Sequence, residues 1–249
     1  MYRYILFFIF LTKIAHAEEV DTLFQKGIEH YQKGEYEETI KTYESITAKG
    51  FQGTSLFYNL GNAYFRTGKI GYAVLYYEKA KKLSPSDEDI NYNLAFANSK
   101  IVDKIETLPR FFIFEWWESI LTSLSIAGWT YVTYIFYLLI LISIGSYYFA
   151  RSLKLQRIGF YGGLISTILL LFTAVLLIVN LNREFNVKYA VIIEQEVVTK
   201  FSPDQNSKDA FVVHEGLKVR AEDTLTSWVK VKLIDGKVGW VRKTALKDI

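Results

Sequence analysis

Three histidines, His16, His30 and His214, are the residues of this 249-residue chain best suited to moving protons near neutral pH. None has a serine and a carboxylate beside it in a pattern that would activate a nucleophile. The chain has no cysteine, which removes thiol catalysis, thiolate metal sites, disulfides and a lipid anchor on an N-terminal cysteine. Asp87, Glu88 and Asp89 form an acidic run, but they also make an ordinary helix start. No histidine or second acidic cluster completes a metal site around them. Gly162 and Gly163 lie inside an apolar stretch, so they are not a phosphate-binding loop. The expectation is a protein with no catalytic residues, no metal site and no cofactor. His30 and His214 are then expected in structural roles.

The elements that would position any binding chemistry are visible as a repeat. Residues 20–53 and 54–87 match each other at a period of 34: Gly27 pairs with Gly61, Gly34 with Gly68, Tyr43 with Tyr77 and Glu44 with Glu78. Phe57, Leu60, Gly61, Tyr64, Gly68, Ala73, Tyr77, Ala80 and Pro85 in the second copy resemble the tetratricopeptide family. The first copy is weaker, with His30 at an aromatic position and Thr39 where alanine is usual. Gly61 would let paired helices approach, Gly68 would permit the turn between them, and Pro85 would close the repeat. Ser86 and Asp87 would cap a further helix over 87–104, completing a module over 18–104. Two repeats and a cap fall short of the roughly three that such modules need, so the nearby membrane or a partner is expected to help.

The resemblance implies that the first helix of each repeat lines a concave groove. That places Phe24, Tyr58 and Tyr92 at one recurring position, Ile28, Asn62 and Phe96 at the next, and Tyr31 with Phe65 at a third, with Asn59 and Asn93 between them. Rings that bury apolar groups and amides that pair with backbone suit an extended or helical peptide of a protein partner. The competing assignment makes the same rings inter-repeat core. The family's basic clamp for a terminal carboxylate is not matched, because Phe24, Ile28 and Asp89 occupy its positions.

Three apolar stretches stand apart. Residues 1–17 read as a secretory signal, with basic Arg3, the run Ile5–Leu11 and the small-x-small pattern Ala15-His16-Ala17; an uncleaved anchor is the alternative. Trp129–Ala150 covers about 33 Å and Ile158–Asn180 about 35 Å as helix, enough to cross a bilayer. The loop between them, 151–157, carries Arg151, Lys154 and Arg157 and no acid, which places it in the cytoplasm and both flanking regions on the other side. Ahead of the first span, 110–126 reads as an aromatic interfacial helix lying on the bilayer, or as a tilted top to that span. Ser143, Gly145 and Ser146 on one span and Gly159 and Gly163 on the other are small enough for close helix approach. They would pack the two spans together or dock a span of another protein.

From 187 to 249 the pattern becomes period-two. Tyr189–Ile193, Leu217–Ala221, Trp228–Leu233 and Val238–Val241 read as strands, and Asp235-Gly236 as a hairpin turn. Five short strands are expected to form a small barrel. The order, with "WVKVKLIDGKVGWV" at 228–241, resembles a bacterial SH3-like domain, which implies a peptide or cell-wall ligand. Trp228 and Trp240 could serve as core or as ligand surface.

The fold class expected is a multidomain membrane protein: all-α tetratricopeptide repeats, a two-helix transmembrane hairpin and a small all-β SH3-like barrel. Removing Arg3 and Lys13 from the 29 basic residues leaves 27 against 26 acidic ones, a balance that gives nucleic acid binding no support. The order of parts resembles the BatE-type proteins of the Bacteroides aerotolerance operon family, with "FYNLGNAYFRTGKIGYAVLYYEKAKKLSPSDEDINYNLAFAN" carrying most of the likeness. That resemblance implies a scaffold in the bacterial inner membrane, both soluble domains periplasmic, working with membrane proteins that bear von Willebrand factor A-type domains. An envelope sensor that binds wall material through the SH3-like domain is the alternative.

Overall fold

The computed structural model describes residues 19–105 and 111–249. The signal expected over 1–17 and the start of the expected interfacial helix at 110 lie outside the described residues. The chain divides into two compact units.

The first unit joins residues from both ends of the chain. Helix α1 runs over 19–32, followed by α2 (Tyr36–Ala48), α3 (Thr54–Arg66), α4 (Ile70–Leu83) and α5 (Glu88–Ser99). The repeat has a direct steric origin. A Cβ at Gly61 would sit 2.6 Å from the Tyr77 ring, and one at Gly27 would strike the Tyr43 ring in the same way. Each first helix is therefore bare where the tyrosine of its second helix lies across it. Gly34 and Gly68 have φ of 77° and 75° with open space around them, so these two serve the turns. Tyr43, Ile46, Leu60, Val74 and Tyr77 are fully buried between the helices. The side chain of Asp87 accepts the Ile90 N–H at 3.1 Å and caps α5. That helix ends at Ser99, short of the expected Lys104.

The C-terminal part of the unit is a seven-stranded sheet: β1 (Lys188–Ile192), β2 (Glu196–Lys200), β3 (Asp209–His214), β4 (Lys218–Leu225), β5 (Trp228–Lys232), β6 (Val238–Arg242) and β7 (Leu246–Asp248), in the order β3-β2-β6-β5-β4-β1-β7. The pairings of β1 with β7, β2 with β3 and β6, β4 with β5 and β5 with β6 are antiparallel. The expectation of five strands is corrected to seven. The β2–β3 hairpin escapes the sequence because Val197, Val198, Val212 and Val213 form short apolar clusters rather than a clean alternation. Asp235 and Gly236 do form the β5–β6 turn, with Gly236 at φ 92° and the Asp235 carboxylate accepting the Lys237 N–H.

The sheet packs on the repeats. The Gly71 N–H donates to Glu215 Oε2 at 3.1 Å, and the His214 N–H donates to Asp103 Oδ2 at 2.7 Å, with His214 Nδ1 2.9 Å from Asp103 Oδ1. Lys218 pairs with Glu78 at 2.8 Å. Val191 of β1 belongs to the repeats' apolar core, and Ile105 packs against the sheet's core. The support that two repeats need thus comes from the chain's own C-terminal sheet.

The second unit comprises α6 (Phe112–Leu121), α7 (Ile126–Phe149) and α8 (Leu153–Asn186). Helices α7 and α8 are both long and apolar enough to cross a membrane. Both are longer than the expected spans: α7 begins before Trp129 and ends one residue short of Ala150, and α8 extends beyond Ile158 and Asn180 at both ends. Ser125 caps α7 by accepting the Gly128 N–H, and Ser152 caps α8 by accepting the Leu155 N–H. The second cap shortens the expected 151–157 loop, since Lys154 and Arg157 already lie in α8. A Cβ at Gly159 would come within 2.8 Å of the Tyr147 nitrogen and 2.9 Å of the Ser143 oxygen, and one at Gly163 within 3.3 Å of Ser143 Cβ. Ser146 Oγ reaches the Leu155 carbonyl at 3.4 Å. Gly145 faces open space instead.

Candidate functional site

A concavity of about 410 Å³ opens between the first helices of the repeats. It is lined by Tyr31 of α1, by Tyr58, Asn62, Phe65 and Arg66 of α3, by Tyr77 of α4, and by Tyr92, Asn93 and Phe96 of α5. Tyr58, Asn62 and Phe65 share a helix face through spacings of four and three, and Tyr92 and Phe96 through a spacing of four. The packing of Gly61 against Tyr77 fixes where the α3 face points, because it seats the opposite side of that helix against α4.

The polar floor is a connected network. Tyr77 donates its hydroxyl to Asn62 Oδ1 at 2.7 Å, and Asn93 Nδ2 lies 3.1 Å from the same oxygen and 2.8 Å from the Tyr58 hydroxyl. These bonds use the carbonyl end of Asn62 and the amino end of Asn93. The Asn62 NH₂ and the Asn93 carbonyl oxygen have no bond to another described side chain, so the lining offers a donor group and an acceptor. One peptide unit needs that combination. Around the amides, Phe65 and Phe96 stand 5.5 Å apart and tilted, and Tyr58 and Tyr77 6.1 Å apart. Tyr92 is 72% and Phe96 46% exposed, so this rim is not consumed by packing. Burial pushes the Tyr77 hydroxyl well above the ordinary phenol range and keeps it a donor. The cation of Arg66 is stabilised first by its hydrogen bond with Tyr31; it also lies 6.0 Å from the Tyr36 ring.

Seven of the ten residues expected to line the groove meet here: Tyr31, Tyr58, Asn62, Phe65, Tyr92, Asn93 and Phe96. The other three do not. Phe24 lies against Tyr43 with ring centres 5.5 Å apart, Asn59 Nδ2 donates to the Tyr43 hydroxyl at 3.4 Å, and Ile28 is half-buried on α1 away from the concavity. For Phe24 and Asn59 the core assignment is the better one, because both turn to Tyr43, whose ring crosses over Gly27. Arg66 and Tyr77 were not expected in the lining. Tyr77 reads as pure repeat core until its hydroxyl is seen to reach Asn62. Arg66 follows Phe65 on the groove helix, and that adjacency was the available signal.

The two histidines outside the first 18 residues are both partnered. His30 Nδ1 pairs with Glu35 Oε2 at 2.5 Å, and His214 is held by Asp103. Among the described residues no three His, Cys, Asp or Glu side chains gather as a metal site. On the sheet, Val229, Val231 and Val241 point inward, so Trp228 and Trp240 alternate to the outer face, with Arg242 5.2 Å from the Trp228 ring.

Residues 55–87, which span α3 and α4, match the family model of the tetratricopeptide repeat. No curated protein matches the chain.

Proposed function

We propose that this chain is a non-enzymatic, membrane-anchored scaffold whose groove holds an extended segment of a protein partner. The observation that carries the reading is the Asn62–Asn93 pair, which presents a donor and an acceptor amid exposed rings. The repeat match supports a protein partner, since tetratricopeptide repeats typically serve protein–protein interaction. Helices α7 and α8 are the anchor in this reading, and residues 19–105 and 189–249 share one side of the membrane because they pack into one unit. The basic end of the hairpin, with Arg151, Lys154 and Arg157, argues for the cytoplasm on the opposite side. The likeness to BatE-type proteins makes the bacterial inner membrane the first location to examine. It also makes membrane proteins bearing von Willebrand factor A-type domains, in an aerotolerance complex, the first partners to look for.

A second reading has the sheet binding wall material or a peptide, and the outward placement of Trp228 and Trp240 favours it. Isolated fragments cannot separate the two, because repeats and sheet share an interface. The experiment is cross-linking in native membranes followed by mild-detergent purification of the full chain, with and without Asn62→Ala and Asn93→Ala. Defined partners that vanish from the double variant support the groove. Partners that persist there and vanish from Trp228→Ala, Trp240→Ala transfer the function to the sheet.

A further inference from the structure

Helix α6 carries an apolar surface that its own unit leaves uncovered. Phe112 is 76% and Trp116 64% exposed, and Ile113 and Phe114 are also exposed. On a helical wheel Ile113, Trp116 and Ile120 form one stripe, Glu115 and Ser119 lie together on another, and Phe112 stands at the border between Ser119 and Trp116. The helix is nevertheless firmly held at its C-terminal end. Leu121 is fully buried with Trp129 and Leu176, and Trp117 and Ile120 pack against that cluster. The Leu121 carbonyl accepts from Trp129 Nε1 and from Asn180 Nδ2, each at 3.2 Å. Arg183 grips Glu118 with both arms, Nη1 to Oε1 at 2.6 Å and Nη2 to Oε2 at 3.0 Å. These fasteners touch α8 at Asn180 and Arg183, where polar residues return at the end of the charge-free stretch 158–182.

From this we infer that α6 lies in the headgroup–acyl boundary of a lipid bilayer, with Ile113 and Trp116 in the acyl region, Glu115 and Ser119 toward water, and its depth set by the Glu118–Arg183 clasp. The inference rests on α7–α8 crossing that bilayer. The occupant is lipid because Ile120, at the end of the stripe, packs on the cluster of Trp129 and Leu176, which joins the stripe to α7 and α8 at the level where the spanning stretch ends, and an aromatic helix with a polar side suits that boundary. The clasp fits the same place: a bidentate arginine–carboxylate pair gains strength where water is partly excluded.

The absence of native cysteine permits a direct test on the full chain in phosphatidylglycerol/phosphatidylcholine vesicles. Single replacements Ile113→Cys, Ser119→Cys and Leu139→Cys carry a fluorescent label, read by iodide in water and by brominated acyl chains in the bilayer. The expected pattern is strong acyl-chain quenching at 113 and 139 and strong iodide quenching at 119. Adding Glu118→Gln to Ile113→Cys should raise iodide quenching at 113 at least twofold, and Glu118→Arg with Arg183→Glu should restore the original value. If 139 is protected but 113 and 119 are equally open to iodide, α6 is not on the lipid and the inference fails alone. If 139 itself is open to iodide, the membrane anchor fails as well. Protection of 113 from both quenchers would mean that a second protein surface covers α6, which also overturns the proposal.

Discussion

Gly61 and Gly68 both resist a side chain, for opposite reasons. At Gly61 the backbone is ordinary helix and the obstacle is the Tyr77 ring, 2.6 Å from where a Cβ would stand. At Gly68 the surroundings are empty and the obstacle is φ 75°. Gly68→Asn should therefore be nearly neutral, since asparagine visits the left-handed region, whereas Gly61→Asn should cost about 1–3 kcal/mol by overpacking. Thermal melting of the purified chain checks the pair, and equal losses would contradict the distinction. In the groove, Asn62→Ala removes a donor that a bound backbone would use and should weaken partner binding about tenfold, with Asn93→Ala similar. Titration of the captured partner in detergent measures this. Tyr43 shows how deep the same layer is buried: burial pushes its hydroxyl up to about 12, against an ordinary 10. A raised folded value means stability is complete below pH 10 and is lost as pH rises through 12. Following unfolding by circular dichroism across that range, the loss should be shallower in Tyr43→Phe.

At the scale of elements, the α7–α8 contact is local and asymmetric. Gly159 meets backbone of α7 at Ser143 and Tyr147, so Gly159→Val must push the helices apart, while Gly145 faces open space and Gly145→Val meets nothing. The first should destabilise the hairpin by about 1–3 kcal/mol and the second by well under that; unfolding of the two variants in mixed micelles compares them. The caps matter at the same scale. Ser125 and Ser152 decide where the two long helices begin, and both lie outside the most apolar runs, so hydropathy alone puts the two starts a few residues inside the true ones. In the repeats, the face of α3 that carries Tyr58, Asn62 and Phe65 is set by the Gly61–Tyr77 contact. The period of 34 marks both residues of that contact, since Gly61 repeats Gly27 and Tyr77 repeats Tyr43.

At the scale of the molecule, the C-terminal sheet completes the helical repeats from which it is separated by the hairpin. Asp103 serves both the backbone N–H and the ring of His214. Asp103→Ala leaves the buried-side donor unpaired and should destabilise repeats and sheet together by about 1–3 kcal/mol. One shared transition for helix and sheet signals, moved to lower denaturant, is the expected result. Two separate transitions would show that the modules fold apart.

The sequence by itself determined what depends on periodicity and composition. The 34-residue spacing placed Tyr58, Asn62, Tyr92 and Phe96 on one face, the charge-free stretches marked α7 and α8, and Asp235-Gly236 marked a hairpin. These are local regularities of side-chain spacing, and helices and turns read them directly. Only the tertiary structure decided which of several equivalent rings is groove and which is core. Phe24 and Tyr58 share a repeat position and each lies against the tyrosine of its own repeat, Tyr43 or Tyr77, yet Tyr58 also joins Asn93, because α5 follows the second repeat and builds the far wall. It also decided that Tyr77 reaches the groove, that Gly145 stands away from the helix contact, and that Asp103 meets His214 across 111 positions of sequence. Those outcomes depend on distances between segments far apart in the chain, which no local pattern encodes.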